Sequence, residues 1–188
     1  MDSQTTLIIG ISLVVLLGLI GSWAIWKGVK KHRGRKLQEK FGVEYDTARQ
    51  RYGKQAEAQL EERIKRVQGL PLRPLTQEQC DRFQAVWRGA MNRFIDDPAL
   101  AIAESDRLVK DVMETQGYPI DAFDRRVEYI SVDHPRVAQN YRLAHAVAKK
   151  TKVGQATTEE MREAMIHYRA VFQELLLVPT PELQEVHA

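Results

Sequence analysis

The chain has 188 residues, 28 Lys/Arg against 25 Asp/Glu, and 44% hydrophobic residues, enough apolar content for a globular core. A lone cysteine, Cys80, excludes an intramolecular disulfide framework. The small positive net charge hides an asymmetry: residues 27–66 hold 13 Lys/Arg and 6 Asp/Glu, whereas residues 67–188 hold 15 and 18, so the body is mildly acidic and unlike a nucleic-acid-binding domain.

After a six-residue opening tail, residues 1–6, the stretch "LIIGISLVVLLGLIGSWAIW" (7–26) runs twenty residues without a charge. At about 1.5 Å per residue it matches the roughly 30 Å hydrocarbon core of a bilayer. "MDSQTT" before it has no Lys or Arg, and the run is too long for a cleaved signal peptide. The expectation is an uncleaved transmembrane helix. Lys27, Lys30, Lys31, Arg33, Arg35 and Lys36 follow at once, and the positive-inside rule assigns them to the cytoplasm, in contact with anionic lipid. Gly18 and Ser22, with Gly21 beside them, make a small-residue pair through which such a helix would pack on itself or on another subunit.

Residues 27–68 read as a basic juxtamembrane stem. Its apolar positions Tyr45, Tyr52, Ala56, Leu60, Ile64 and Val67 form a thin helical stripe, and Gly42 and Gly53 predict breaks. The expectation is a solvated helical spacer, ended by a linker at "GLPLRPL" (69–75).

A body follows over residues 76–178. Thr76 and Gln79 form a capping box that opens a helix bearing Phe83, Val86, Trp87, Ala90, Met91 and Phe94. Asp97 and Pro98 start a second, with Ile102, Leu108, Val109, Val112 and Met113 inward and an end at Gly117. A shorter third carries Phe123, Val127 and Ile130. "SVDHP" opens a fourth, capped by Asp133, with Val137, Tyr141, Ala144 and Val147. Thr157 and Glu160 cap the last, which shows Met161, Met165, Tyr168, Phe172 and Leu175. Residues 179–188 are left as a tail. No strand pattern appears, so the fold class is all-α: a single N-terminal transmembrane helix, a charged helical stem and a compact bundle of about five helices.

The set "FGVEYD", "RFIDDP", "ISVDHP", "NYRLAHA" and "MIHYRAVFQELL" resembles a widespread bacterial family of helical proteins, over about residues 41–177. The resemblance implies a bacterial host and a helical fold, and no activity or ligand.

Chemistry-bearing motifs are missing: no phosphate-binding loop, dinucleotide fingerprint, H-E-x-x-H or C-x-x-C. His145 and His167 would need to face each other, with carboxylates, to bind a metal, and Glu163 and His167 lack the Glu-x-x-His spacing of bundle metal sites. Asp96 and Asp97 look like a carboxylate pair, but capping accounts for Asp97. Cys80, near a helix start, could be an acidified thiol but reads better as a buried hydrophobe. Tyr118, Tyr141 and Tyr168 read as core or rim residues.

The sequence therefore points to a non-enzymatic, single-pass, membrane-anchored adaptor or accessory subunit, without a cofactor, presenting a cytosolic bundle to a protein partner. It would lie in the bacterial inner membrane with its N-terminus outside. The alternatives are a tethered enzyme or metal-binding bundle, and a protein that binds anionic lipid surfaces.

Overall fold

The computed structural model describes residues 34–176. Contacts divide the chain into two units, residues 1–40 and 41–188. Of the first, residues 34–40 are helical.

Among its described residues the second unit contains seven α-helices and no strand: α1 (Val43–Tyr52), α2 (Ala56–Gln68), α3 (Gln77–Arg93), α4 (Pro98–Thr115), α5 (Phe123–Asp133), α6 (Pro135–Lys152) and α7 (Thr158–Leu176). Local chemistry sets most of the ends. Thr76 Oγ1 accepts from the Gln79 backbone N–H at 3.2 Å while the Gln79 side chain accepts from the Thr76 N–H at 2.9 Å. Asp97 accepts from the Leu100 N–H at 2.9 Å, with Pro98 in the first turn. Thr157 and Glu160 exchange the same pair of bonds at the start of α7. Each reciprocal cap satisfies backbone donors that the helix itself cannot.

The centre of the bundle is a triplet, α4, α6 and α7, each packed on the other two. Val109, Val112, Tyr141, Ala144, Tyr168 and Leu175 are fully enclosed there. Helix α3 lies on α4, and α5 lies on α6. The loop before α3 is held by α4: the Arg73 N–H donates to the Gln116 carbonyl at 2.9 Å. Gly117 ends this helix with φ 95, and a Cβ there would sit 2.7 Å from the Pro71 carbonyl oxygen, so both its backbone angle and its surroundings require glycine.

Several expectations are corrected. Among the described residues no helix is long and apolar enough to cross a membrane. The membrane-anchored architecture and the inner-membrane location drawn from it thus have no spanning helix among the described residues to rest on; the stretch 7–26 itself lies outside them. The solvated stem is also corrected. Residues 43–68 form two helices, broken by a 3-10 turn at Gly53 (φ 54), and they pack on the bundle: α1 on α6, and α2 on α5. Tyr45, Ala48, Ala56, Leu60 and Val67 are buried, so the thin apolar stripe is a packing face.

Charges seal that face. Glu44 is 1% exposed, and both its oxygens accept from Arg142 on α6, Nη2 to Oε2 at 2.9 Å. Arg63, 4% exposed, stands 4.0 Å from Glu44 and 3.5 Å from Glu128 on α5. Glu128 also accepts from Arg66 and Arg125, at 3.2 and 3.0 Å. A charge taken out of water needs such partners, and here they come from four different helices. A third correction concerns "SVDHP". Asp133 is the exposed last residue of α5, and His134 stands between α5 and α6 with φ −128 and ψ 62. The constraint is Pro135, which disfavours helical geometry in the residue before it.

The buried ion pairs lead to a stability prediction. Glu44→Ala, which deprives Arg142 of its partner and leaves Arg63 with Glu128 alone, is expected to cost about 3 kcal/mol. Glu62→Ala, on the exposed side of α2, should stay within about 0.5 kcal/mol. Urea unfolding of the two variants checks this, and equal midpoints would mean that α1 and α2 are not held by the network.

Candidate functional site

Two places in the bundle bring together groups that could act on something. One is enclosed and polar, the other open, with an aromatic floor and a polar rim.

The enclosed one is centred on Asp106 in α4, which is 4% exposed. Helical spacing turns residue 106 inward beside Ile102 and Val109, among three helices that carry polar groups to meet it. Oδ1 accepts from the Tyr168 hydroxyl of α7 at 3.0 Å and faces Nδ1 of His145 on α6 at 3.2 Å. Oδ2 accepts from Lys110 Nζ at 2.6 Å, one helical turn on. Because an ionised carboxylate only accepts, Nδ1 of His145 carries the proton in this bond. Phe123 of α5 stacks on the imidazole, ring centroids 3.7 Å apart. Beside them the Tyr141 hydroxyl accepts from Arg126 Nε at 3.2 Å.

These surroundings fix the ionisation states. Burial alone would raise the Asp106 carboxyl, but the His145 and Lys110 hydrogen bonds outweigh it and hold the group well below the usual carboxylate range. Burial, with the Asp106 charge and hydrogen bond, pushes the Tyr168 phenol far above its ordinary value. Burial also raises Tyr141 to about 12. Neither phenol can lose a proton near neutral pH. Both carboxylate oxygens of Asp106 are engaged by partners inside the bundle. The chemistry of the cluster is that of a satisfied polar core.

The open place lies between α3 and α7. Trp87 of α3 stacks on Phe172 of α7, centroids 5.3 Å apart and planes 18° from parallel. Above this floor runs a groove of about 450 Å³, bordered by Met91, Arg88, Arg169 and Leu176. A smaller depression of about 170 Å³ continues it past Phe94, Met165 and Ile166. No carboxylate lines either part. Arg162 at the far end is held by Glu159, Nη2 to Oε1 at 2.6 Å. Arg88 and Arg169 form no ion pair among the described residues. Val86, Met91 and Ile166 are each more than two-fifths exposed although all are large and apolar.

The sequence-derived candidates fall out as follows. Lys27, Lys30, Lys31, Arg33, Gly18, Gly21 and Ser22 lie outside the described residues; Arg35 and Lys36 are exposed on helical residues 34–40. His145 and His167 are committed separately, His145 to Asp106 and His167 Nδ1 to Asn140 Oδ1 at 3.1 Å. Among the described residues no group of three His, Cys, Asp or Glu side chains is close enough to hold a metal ion. Asp97 caps α4 and Asp96 is exposed. The Cys80 thiol is raised by partial burial and by Asp81, opposite to the shift that would activate it. Tyr118, Tyr141 and Tyr168 are buried.

Sequence reading missed Asp106, whose partners lie 39 and 62 residues away. It also missed the groove. Val86 and Met91 are both expected to face the core; Met91 instead borders the groove, and Val86 is exposed outside it. No family model matches this chain, and no curated protein or solved structure is similar to it.

The Asp106 cluster has a pH signature. A carboxyl depressed in the folded state stabilises the fold fully above its ordinary value near 3.8, and that stabilisation is lost as pH falls from about 4 toward 2. Asp106→Ala is expected to lose about 3–5 kcal/mol at neutral pH by stranding Lys110, His145 and Tyr168. Thermal melts of wild type and Asp106→Ala should therefore converge in acid, and parallel pH profiles would contradict the assignment.

Proposed function

We propose that this chain is a non-enzymatic helical adaptor whose bundle binds a protein partner through the groove between α3 and α7. The partner segment is amphipathic and acidic. Its apolar face lies on Met91 and the Trp87–Phe172 floor, and its carboxylates reach the guanidinium groups of Arg88 and Arg169. The single observation carrying this reading is the groove itself, a channel with the Trp87–Phe172 floor and a rim of two arginines and the amides of Gln84, Asn92 and Gln173, with no carboxylate in its lining.

The physics supports the pairing of features. A helix laid in an apolar groove is a recurring mode of recognition, read through anchors spaced three or four residues apart. Guanidinium groups at the edge favour acidic partners and speed their encounter. A catalytic reading lacks comparable support. A general acid or base must reach the proton it moves, and both carboxylate oxygens of Asp106 are already engaged inside the bundle.

A fluorescein-labelled amphipathic helical peptide of Leu and Glu is the probe. Anisotropy titration against the full chain is expected to give saturable binding that weakens at least tenfold in Arg88→Glu/Arg169→Glu. Lys54→Glu, exposed in the turn between α1 and α2, should leave it unchanged. Binding that ignores the charge reversal would remove the groove as the docking surface.

A further inference from the structure

We propose that the groove is regulated in cis: residues 177–188 of this same chain fold back into it and compete with the partner segment. The inference rests on the docking reading above and adds a second occupant for the same surface.

Three observations converge. The first is position. Leu176, the last described residue, itself borders the groove, so the segment starts at its mouth. The second is reach. From Leu176 back to Arg162 is fourteen residues of α7, or roughly 20 Å at the helical rise. The twelve residues that follow Leu176 span about 40 Å when extended, twice the length to be covered. Pro179 and Pro181 sit where the chain would need to leave the helix and reverse, and proline both stops a helix and favours turns.

The third is chemistry. "PELQEVHA" (181–188) carries Glu182 and Glu185 and no Lys or Arg, with Leu183 and Val186 at the same spacing of three. Two carboxylates and two apolar side chains are what a groove with Arg88, Arg169 and an apolar floor would accept. The complementarity extends to sign: the groove's lining holds only cationic, neutral polar and apolar residues. Joined to the bundle without a linker, the segment acts at the millimolar effective concentration typical of short tethers. A weak contact in trans thus becomes a substantial one in cis.

The direct test uses the full chain with Cys80→Ser and Ala188→Cys, a nitroxide on the new thiol, and methyl-labelled methionine. The expected result is strong broadening of the Met91 methyl signal, with Met113, buried on α4, as internal reference. Broadening should fall in Arg88→Glu/Arg169→Glu and return when Glu182→Arg/Glu185→Arg is added. Unbroadened Met91, or broadening indifferent to both charge swaps, overturns the inference. The Leu/Glu peptide separates the two readings. If the segment docks, Glu182→Arg/Glu185→Arg alone tightens peptide binding about tenfold relative to wild type. If Met91 is not broadened while the peptide still binds through Arg88 and Arg169, self-occupancy falls and partner docking stands. If Met91 is broadened in the charge-dependent way and the peptide does not bind, the groove serves this chain's own segment and the partner reading falls.

Discussion

A carboxylate that leaves water must find cations inside the protein, and Glu44 is the residue on which this requirement falls hardest. At 1% exposure it is held by Arg142 from α6 with Arg63 from α2 nearby. Arg63 in turn faces Glu128 on α5, which binds Arg66 and Arg125. Removing any one helix would take a partner from a charge on at least one of the others, so α1, α2, α5 and α6 form a single electrostatic unit. Buried ion pairs of this kind are poor sources of net stability compared with apolar packing, but they strongly penalise any arrangement that separates the partners. Their role in this fold is to specify where the first two helices lie.

The same logic repeats at Asp106, with a different cast. There the charge is met by one ammonium, one imidazole and one phenol drawn from α4, α6 and α7. The three helices of the central triplet are thus tied at a point as well as packed along a surface. Two fixed polar knots and an apolar core around them account for most of the molecule. Helix α3 belongs to neither knot. It is held by packing on α4, by its end caps and by the Trp87–Phe172 stack, and the open groove lies along this least encumbered element.

What the sequence disclosed and what it concealed follows from the range of the forces involved. Helix starts are local, set within four residues, and the caps at Thr76, Asp97 and Thr157 were legible for that reason. So were the inward faces of α4 and α7, where strong apolar periodicity leaves few choices. The misread parts depend on long-range partners. Glu44 and Arg63 looked like surface charges because nothing nearby in sequence reveals that Arg142 lies 98 residues from Glu44. Their stripe of Tyr45, Leu60 and Val67 seemed too thin for a core because buried ion pairs supply the rest of the contact. Asp106 was invisible for the same reason. At His134 two local signals competed, the capping preference of Asp133 and the backbone restriction imposed by Pro135, and the proline prevailed. The groove was unreadable because an apolar residue beside a core line is the same letter whether a neighbour covers it or not.

The close approach at Gly117 also carries information about tolerance to change. The six residues without regular structure that precede α3, 71–76, are fastened to the end of α4 by the Arg73–Gln116 backbone bond and by the Arg73 side chain on the Thr115 carbonyl at 3.1 Å. The missing Cβ lets Pro71 pass within contact of that helix end. This makes the segment a gauge block: its length and its stand-off from α4 set the pitch at which α3 sets out, and with it the separation of Arg88 from Arg169 across the groove. A sequence could vary freely along the outer face of α3 and keep the same channel. Lengthening or shortening this one short span would re-aim the whole helix.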